Sequence, residues 1–237
     1  MFDIKRLSGK FVTGTIWSKT RSITNKVASQ IYTHKCGFNW IYHLHRANGK
    51  QVGHSLSAFI SEFEEHYHLM YDGAAFQVGT NTSFMDTVRR SEIDYHVLES
   101  RRPNKNQEEG PIREVKRRFY QVMLKKRLPK CLWDFVLDWI CEIDNMTVNS
   151  SRYTNGRTPL DIITGITPDI TEYLDFGFYD WVVFKQNAGV DTPKIGRWLG
   201  VSHWIGQLMT YWILPASGIL ISCGTVQRLT VLEEQAS

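Results

Sequence analysis

Three β-rich segments open the chain one after another, and helical and strand patterns then alternate. Residues 9–17, 28–35 and 38–46 are rich in β-branched and aromatic side chains, and Gly and Asn mark the breaks between them. These segments predict three successive antiparallel strands. Apolar residues recurring at three and four positions then predict a helix over about 54–65, and a short apolar strand, 68–71, follows it.

The alternation continues with a helix over about 82–91 and a strand at 94–98. Strands followed by helix, strand, helix and strand predict an α/β fold built on a mixed five-stranded sheet. Two long helical patterns come next, about 111–127 and 129–146. Pro129 divides them, because proline ends one helix and is accepted in the first turn of another.

The composition changes after the second long helix. Ser, Asn, Gly, Thr and Pro are concentrated there, which predicts a linker with one short helix at about 159–164. From Tyr179 onward, short β-rich pieces alternate with turns and predict a small all-β barrel. The predicted domains are 1–148 for the α/β core, 149–178 for the linker and 179–232 for the barrel.

The composition is that of a globular protein, with 42% hydrophobic and 22% charged residues. The four cysteines form no CxxC pair, which favours a reducing compartment, the nucleus or the cytoplasm. No apolar run reaches the ~18 residues of a membrane span, so we expect no membrane partner. The histidines lack the spacing of a zinc site, so we expect no zinc.

The charge is uneven along the chain. The formal net charge is +4, yet residues 101–130 alone hold eleven Lys and Arg against three Glu. A basic block of this kind indicates an acidic partner such as a nucleic acid, although many charge runs are only solvated helix surfaces. Seven of its cations, Arg118 among them, fall in the first long helical pattern, and six of these are the candidate DNA-binding residues: Arg113, Lys116, Arg117, Lys125, Lys126 and Arg127.

Two carboxylates flank this region. Asp72 ends the predicted strand 68–71, and Glu109 lies just ahead of the basic helix, with 36 residues between the two. Side chains at the ends of strands in α/β proteins often face ligands, although Asp-Gly is also an ordinary turn. Two carboxylates brought together can hold Mg²⁺ or Mn²⁺, which prefer oxygen ligands. Glu114 is the alternative to Glu109.

The run FMDTVRRSEIDYHVLESRRPNKNQEEGPIREVKRRFYQVM resembles the second half of the catalytic core of copia-type (Pseudoviridae) retrotransposon integrases. Downstream, NGRTPLDIITGITPD resembles the segment after that core, and KIGRWLGVS with ILISCGTVQRLT resembles the barrel that follows it. The likeness covers roughly residues 8–230. It implies a ribonuclease-H-like core plus a C-terminal barrel, as part of a Gag-Pol polyprotein.

The resemblance also implies a chemistry. In this family an Asp, Asp, Glu triad binds two Mg²⁺ or Mn²⁺ ions for DNA strand transfer, and Asp72 and Glu109 stand at the places of its second and third members. The partners implied are retroelement ends and target DNA, in a homo-oligomer. The His, His, Cys, Cys zinc module that precedes the core in this family has no counterpart in the sequence, which fits a fragment of the polyprotein.

The first member of the triad is missing. Its place on the first strand is occupied by Gly14, between Thr13 and Thr15. Glycine has no ligand for a metal, so we expect an integrase-like protein impaired in catalysis. The alternative is a non-catalytic nucleic-acid-binding remnant or a coopted DNA-binding protein. A host nuclease of ribonuclease-H-like fold is a third possibility, which the C-terminal barrel disfavours.

Overall fold

The two long helices and the strands of the first half are close to their predicted positions. The computed structural model describes residues 9–63, 68–71, 82–97, 110–149, 154–186, 192–203 and 210–229, and it divides into two compact units, Met1–Pro168 and Asp169–Ser237. The strands of the first unit are β1 (Lys10–Trp17), β2 (Ala28–His34), β3 (Asn39–Leu44), β4 (His68–Tyr71) and β5 (Tyr95–Val97). Its helices are α1 (Gly49–Glu62), α2 (Ser83–Arg90), α3 (Gly110–Lys125), α4 (Trp133–Met146) and α5 (Pro159–Thr164).

The strands of the first unit form a mixed five-stranded sheet in the order β3-β2-β1-β4-β5. β1, β2 and β3 pair antiparallel, whereas β4 runs parallel to both β1 and β5. The parallel pairs are possible because α1 and α2 return the chain across the sheet. The predicted mixed sheet is therefore confirmed, with β1 at its centre.

The sheet has a hydrophobic core on each face, because neighbouring residues of a strand point to opposite sides. Phe11 of β1 packs in the core that α1 and α2 cover. Val12, the next residue, packs in the core formed with Ile112 and Val115 of α3 and with Leu137 of α4. The first unit is thus a sheet between two helical layers, and α3 and α4 lie on the same side of it.

Helix boundaries follow capping chemistry more than apolar periodicity. α1 begins at Gly49, five residues before the predicted start, because the Asn48 side chain accepts a hydrogen bond from the Gln51 amide and caps the helix. The second long helix begins at Trp133 after a 3₁₀ turn, Lys130–Leu132, and not at Pro129. Pro129 has an extended backbone, with ψ at 132°, so it precedes the helix.

The second unit contains a five-stranded antiparallel sheet, which is compatible with the predicted small barrel. Its strands are β6 (Trp181–Lys185), β7 (Lys194–Val201), β8 (Tyr211–Pro215), β9 (Ile221–Cys223) and β10 (Thr225–Arg228), and they lie in the order β10-β6-β7-β8-β9. Trp198 is fully buried in it, against Phe176 and Tyr211. Within the described ranges, every helix of the chain is too short or too polar to span a bilayer. A short helix, α6 (Thr171–Leu174), precedes the sheet in this unit.

Candidate functional site

Gly14 lies in the middle strand of the first sheet and is buried. It pairs with Ile31 of β2, and its neighbour Thr13 pairs with Tyr71 of β4. Tyr71 is the residue before Asp72 in the sequence; Asp72 and Glu109 themselves lie outside the described residues. Because Gly14 has the same strand parity as Val12, it belongs to the face that α3 and α4 cover.

The side chains of the threonines on either side of Gly14 form hydrogen bonds with residues of β2. The Thr13 hydroxyl donates to the Ile31 carbonyl oxygen at 2.8 Å and accepts from the Gln30 side-chain amide at 2.6 Å. The Thr15 hydroxyl donates to the Gln30 side-chain oxygen at 2.7 Å. These side chains lie on the opposite face of the sheet from Gly14. They therefore provide no substitute for a carboxylate on the face of α3.

A two-metal site needs carboxylates that converge on the ions. Among the residues that the structure describes, no group of three or more His, Cys, Asp or Glu side chains is arranged to hold a metal. Gly14, which the resemblance puts at the first position of the triad, has no side chain with which to coordinate a metal. By themselves, the described residues thus form no two-metal centre; Asp72 and Glu109, the other two candidate ligands, lie outside them.

Glu114, the alternative third carboxylate, is paired within α3. Its oxygens accept two hydrogen bonds from Arg117, one of them from Nε at 2.8 Å. This hydrogen bond, together with the charge of Arg117, holds the pKa of Glu114 below its usual value. Glu114 is exposed, whereas Ile112 and Val115 of the same helix pack on the sheet. The choice between Glu109 and Glu114 remains a prediction.

The candidate DNA-binding residues lie on α3 and the turn after it. All are exposed except Lys116, which is half-buried. Arg118 of the same helix forms a salt bridge with Asp144 of α4 and ties the two helices together. The basic surface, as we name it, consists of Arg113, Lys116, Arg117, Lys125, Lys126 and Arg127.

Two apolar side chains of the same surface were not predicted. Tyr120 is 62% exposed and Leu124 is 77% exposed, although both residue types are usually buried in part. They lie three and seven residues after Arg117, so they share its side of the helix. On a helical wheel, both residues fall on the side of Arg113 and Arg117, away from Ile112 and Val115. This spacing is the sequence signal that could have predicted their exposure.

A histidine joins the sheet to α4. His43 of β3 lies 2.6 Å from the Ser29 hydroxyl through Nδ1 and 2.8 Å from the Asp138 carboxylate through Nε2. Burial disfavours the charged imidazole, but Asp138, by charge and hydrogen bond, and Asp134 outweigh it and raise the pKa of His43 above its ordinary value. The cluster holds α4 against the strand that precedes α1.

The Asp138→Asn variant is expected to be less stable and to lose part of its dependence on pH. A raised pKa in the folded state means that protonated His43 stabilises the fold fully below pH about 6.5 and that this contribution is lost as the pH rises through the raised value. Urea unfolding over a series of pH values measures both effects. His43→Gln should flatten the same pH window; an unchanged pH profile in Asp138→Asn would contradict the ion pair.

The first unit is a mixed five-stranded sheet with helices on both faces, the arrangement predicted for a ribonuclease-H-like core. A chain of the simian T-cell lymphotropic virus intasome, solved in complex with the PP2A regulatory subunit B56 gamma, has a TM-score of 0.51 at 11% sequence identity, over 95% of this chain and 80% of that chain. The catalytic core domain of BIV integrase has a TM-score of 0.49 at 14% identity, over 65% of this chain and 92% of that chain.

Comparison at the level of sequence gives no match. No protein-family model matches the chain, and no curated protein matches it. At 11% identity, the likeness to the intasome chain defines an integrase-like fold and no more.

Proposed function

We propose that this chain is an integrase-like DNA-binding protein, descended from the DNA strand-transfer enzyme of a copia-type retrotransposon and itself impaired in strand transfer. The observation that carries the proposal is Gly14, a buried residue at the centre of an integrase-like sheet, beside the strand that leads to Asp72. In an active relative, a carboxylate at this place would join Asp72 and Glu109 in holding Mg²⁺ or Mn²⁺. The integrase resemblance of the sequence supports the copia-type origin and a place in a Gag-Pol polyprotein.

DNA binding is supported by the basic surface of α3. Apart from half-buried Lys116, its cations are exposed, and the helix is anchored to the sheet by Ile112 and Val115 and to α4 by the Arg118–Asp144 salt bridge. A row of cations on an anchored helix suits the phosphates of a duplex, which set affinity without reading sequence. A DNA partner places the protein in the nucleus, or in the cytoplasm with retroelement cDNA, and integrases act as multimers, so we also propose a homo-oligomer.

Replacing Arg113 and Lys116 together by Gln is expected to weaken duplex binding and its salt dependence. The slope of log affinity against log salt concentration should become shallower by about 0.9 for each phosphate contact removed. The measurement is fluorescence anisotropy of a labelled duplex at several salt concentrations.

The matched control replaces Lys50 of α1 and Arg90 of α2 by Gln. Both side chains are exposed, and their helices cover the other face of the sheet. This double variant removes the same charge and should leave the slope unchanged. Equal slopes in the two double variants would mean that binding follows net charge alone, and the assignment to α3 would then fail.

A non-catalytic DNA-binding protein, whether decayed or coopted, is the second candidate function. The same Gly14 favours it, because a protein retained for binding has no need of the first carboxylate. The two candidates differ in whether restoring that carboxylate restores strand transfer.

A further inference from the structure

The outward face of the second sheet carries an aromatic and basic surface. Val182 and Phe184 of β6 point inward and are buried, so Trp181 and Val183 point outward. Trp181 is 42% exposed. The outer face, as we name it, is formed by Trp181, Val183, Lys185, Ile195, Arg197 and Gln227, which the pairing of β6 with β7 and β10 brings together.

Trp181 and Arg197 form a stack across two strands. They are directly paired in the sheet, and the Arg197 guanidinium carbon lies 3.5 Å from the centre of the Trp181 ring. The same guanidinium lies 4.6 Å from the Tyr179 ring and donates a hydrogen bond to the Tyr179 carbonyl oxygen at 2.9 Å. The indole is therefore held in one orientation before any ligand arrives, which lowers the entropy lost on binding.

The charge of these strands has one sign. The five strands of the second sheet contain four cations and no carboxylate. Of the four, Lys185 and Arg197 lie on the outer face, whereas Lys194 and Arg228 pair with Phe184 and Val182 and so have the opposite strand parity. A surface of this kind is complementary to a polyanion.

The apolar part of the outer face decides which polyanion fits. Ile195 is 41% exposed beside Val183, so the indole is continuous with an aliphatic surface. Phosphates alone would not use an exposed indole or an isoleucine, and the bases of a duplex are stacked on each other. Unpaired bases combine a flat apolar face with a charged backbone, and aromatic side chains beside cations are the usual platform for them.

We infer that the outer face binds an unpaired nucleic-acid strand, with one base stacked on Trp181 and the backbone phosphates held by Lys185. Arg197 positions the indole and adds charge. Binding here uses no residue of α3, so it goes beyond the proposed function and does not depend on strand transfer.

The test measures binding of the full-length protein to labelled oligothymidylate and oligouridylate of about 15 nucleotides and to a duplex of the same length. Trp181→Ala is expected to weaken binding of the single strands on the order of tenfold and to leave duplex binding within about twofold. Trp181→Phe keeps an aromatic ring, so its affinity for single strands should lie between those of the unchanged protein and Trp181→Ala. A difference in affinity between oligothymidylate and oligouridylate then shows whether the outer face prefers DNA or RNA.

Trp17→Ala is the matched control, because Trp17 is 59% exposed but lies in the first sheet. It should bind single strands like the unchanged protein. Arg197→Lys keeps the charge and loses the planar stack, so it should weaken single-strand binding more than it changes the salt dependence.

The inference is overturned if Trp181→Ala and Trp181→Phe bind single strands like the unchanged protein, or if they lose single-strand and duplex binding equally. Failure of the proposed function gives a different pattern. In that case the Arg113 and Lys116 double variant would bind the duplex as tightly as the unchanged protein, whether or not the Trp181 variants lose single-strand binding.

Discussion

The Gly14→Asp variant is expected to join duplex oligonucleotide ends to a target duplex in Mg²⁺ or Mn²⁺, whereas the unchanged protein is expected to give no product above background. A carboxylate at position 14 would stand on the face of α3, one residue beyond the pairing of Thr13 with Tyr71. Metal ions in such sites stabilise the transition state by several kcal/mol, so the gain should be on the order of a thousandfold or more. Product is measured as labelled strand-transfer DNA on a gel.

The control for this gain is Gly14→Asn. Asparagine has the shape of aspartate and the same burial in β1, but it lacks the charge that binds a divalent cation. It should therefore show the folding cost of a polar side chain without any activity. Asp72→Asn added to Gly14→Asp should abolish the product. If Gly14→Asp and Gly14→Asn are equally inactive while both still fold and bind DNA, the second candidate, a DNA-binding protein without catalysis, is the better description.

The active variant would also decide the third carboxylate. In the Gly14→Asp background, Glu109→Gln is expected to remove strand transfer, whereas Glu114→Gln is expected to leave most of it. Glu114 is exposed and bound to Arg117, so its loss mainly frees a cation of the basic surface. If instead Glu114→Gln removes strand transfer and Glu109→Gln leaves most of it, Glu114 is the third carboxylate.

Phe59→Ala is expected to reduce the free energy of unfolding by about 3–5 kcal/mol. Phe59 of α1 is fully buried and stacks on Tyr32 of β2, with ring centres 4.4 Å apart. It also contacts Phe11 of β1 at 5.2 Å and Trp40 of β3 at 5.4 Å, so one side chain joins α1 to three strands. Its removal leaves a cavity that rigid aromatic neighbours cannot fill. Urea unfolding followed by circular dichroism measures the loss.

The comparison for Phe59 is Leu124→Ala on α3. Leu124 is among the most exposed large apolar residues described, so its truncation should change stability by less than about 0.5 kcal/mol. A loss at Leu124 comparable to that at Phe59 would mean that the exposed side of α3 is covered in solution, for example by a second copy of the chain.

Several elements could be predicted residue by residue because local chemistry decides them. β4 occupies the predicted residues 68–71, and α5 the predicted 159–164. In α5 the Thr158 side chain caps the start, Pro159 takes the first turn, and Gly165 ends the helix in the left-handed conformation, with φ at 70°. Three local signals agree, so no distant contact is needed to place this helix.

Other features could not be predicted from local signals. Trp181 and Trp198 are the same residue type in neighbouring strands, yet one is exposed and the other fully buried. The register of β6 against β7 and the bulge between Trp198 and Gly200 determine which face each side chain takes. A shift of one residue would exchange the two faces, and nothing near either tryptophan in the sequence determines that register.

By itself, the sequence determined the order of strands and helices, the concentration of cations in one helix and the absence of a side chain at position 14. These are properties of residue type and of short-range spacing. Only the tertiary structure decided that Gly14 lies on the face covered by α3, that Arg118 pairs with Asp144 of α4, and that Trp181 meets Arg197 across two strands. Each depends on which distant segments pack together, and burial and strand register establish those contacts only when the whole chain has folded.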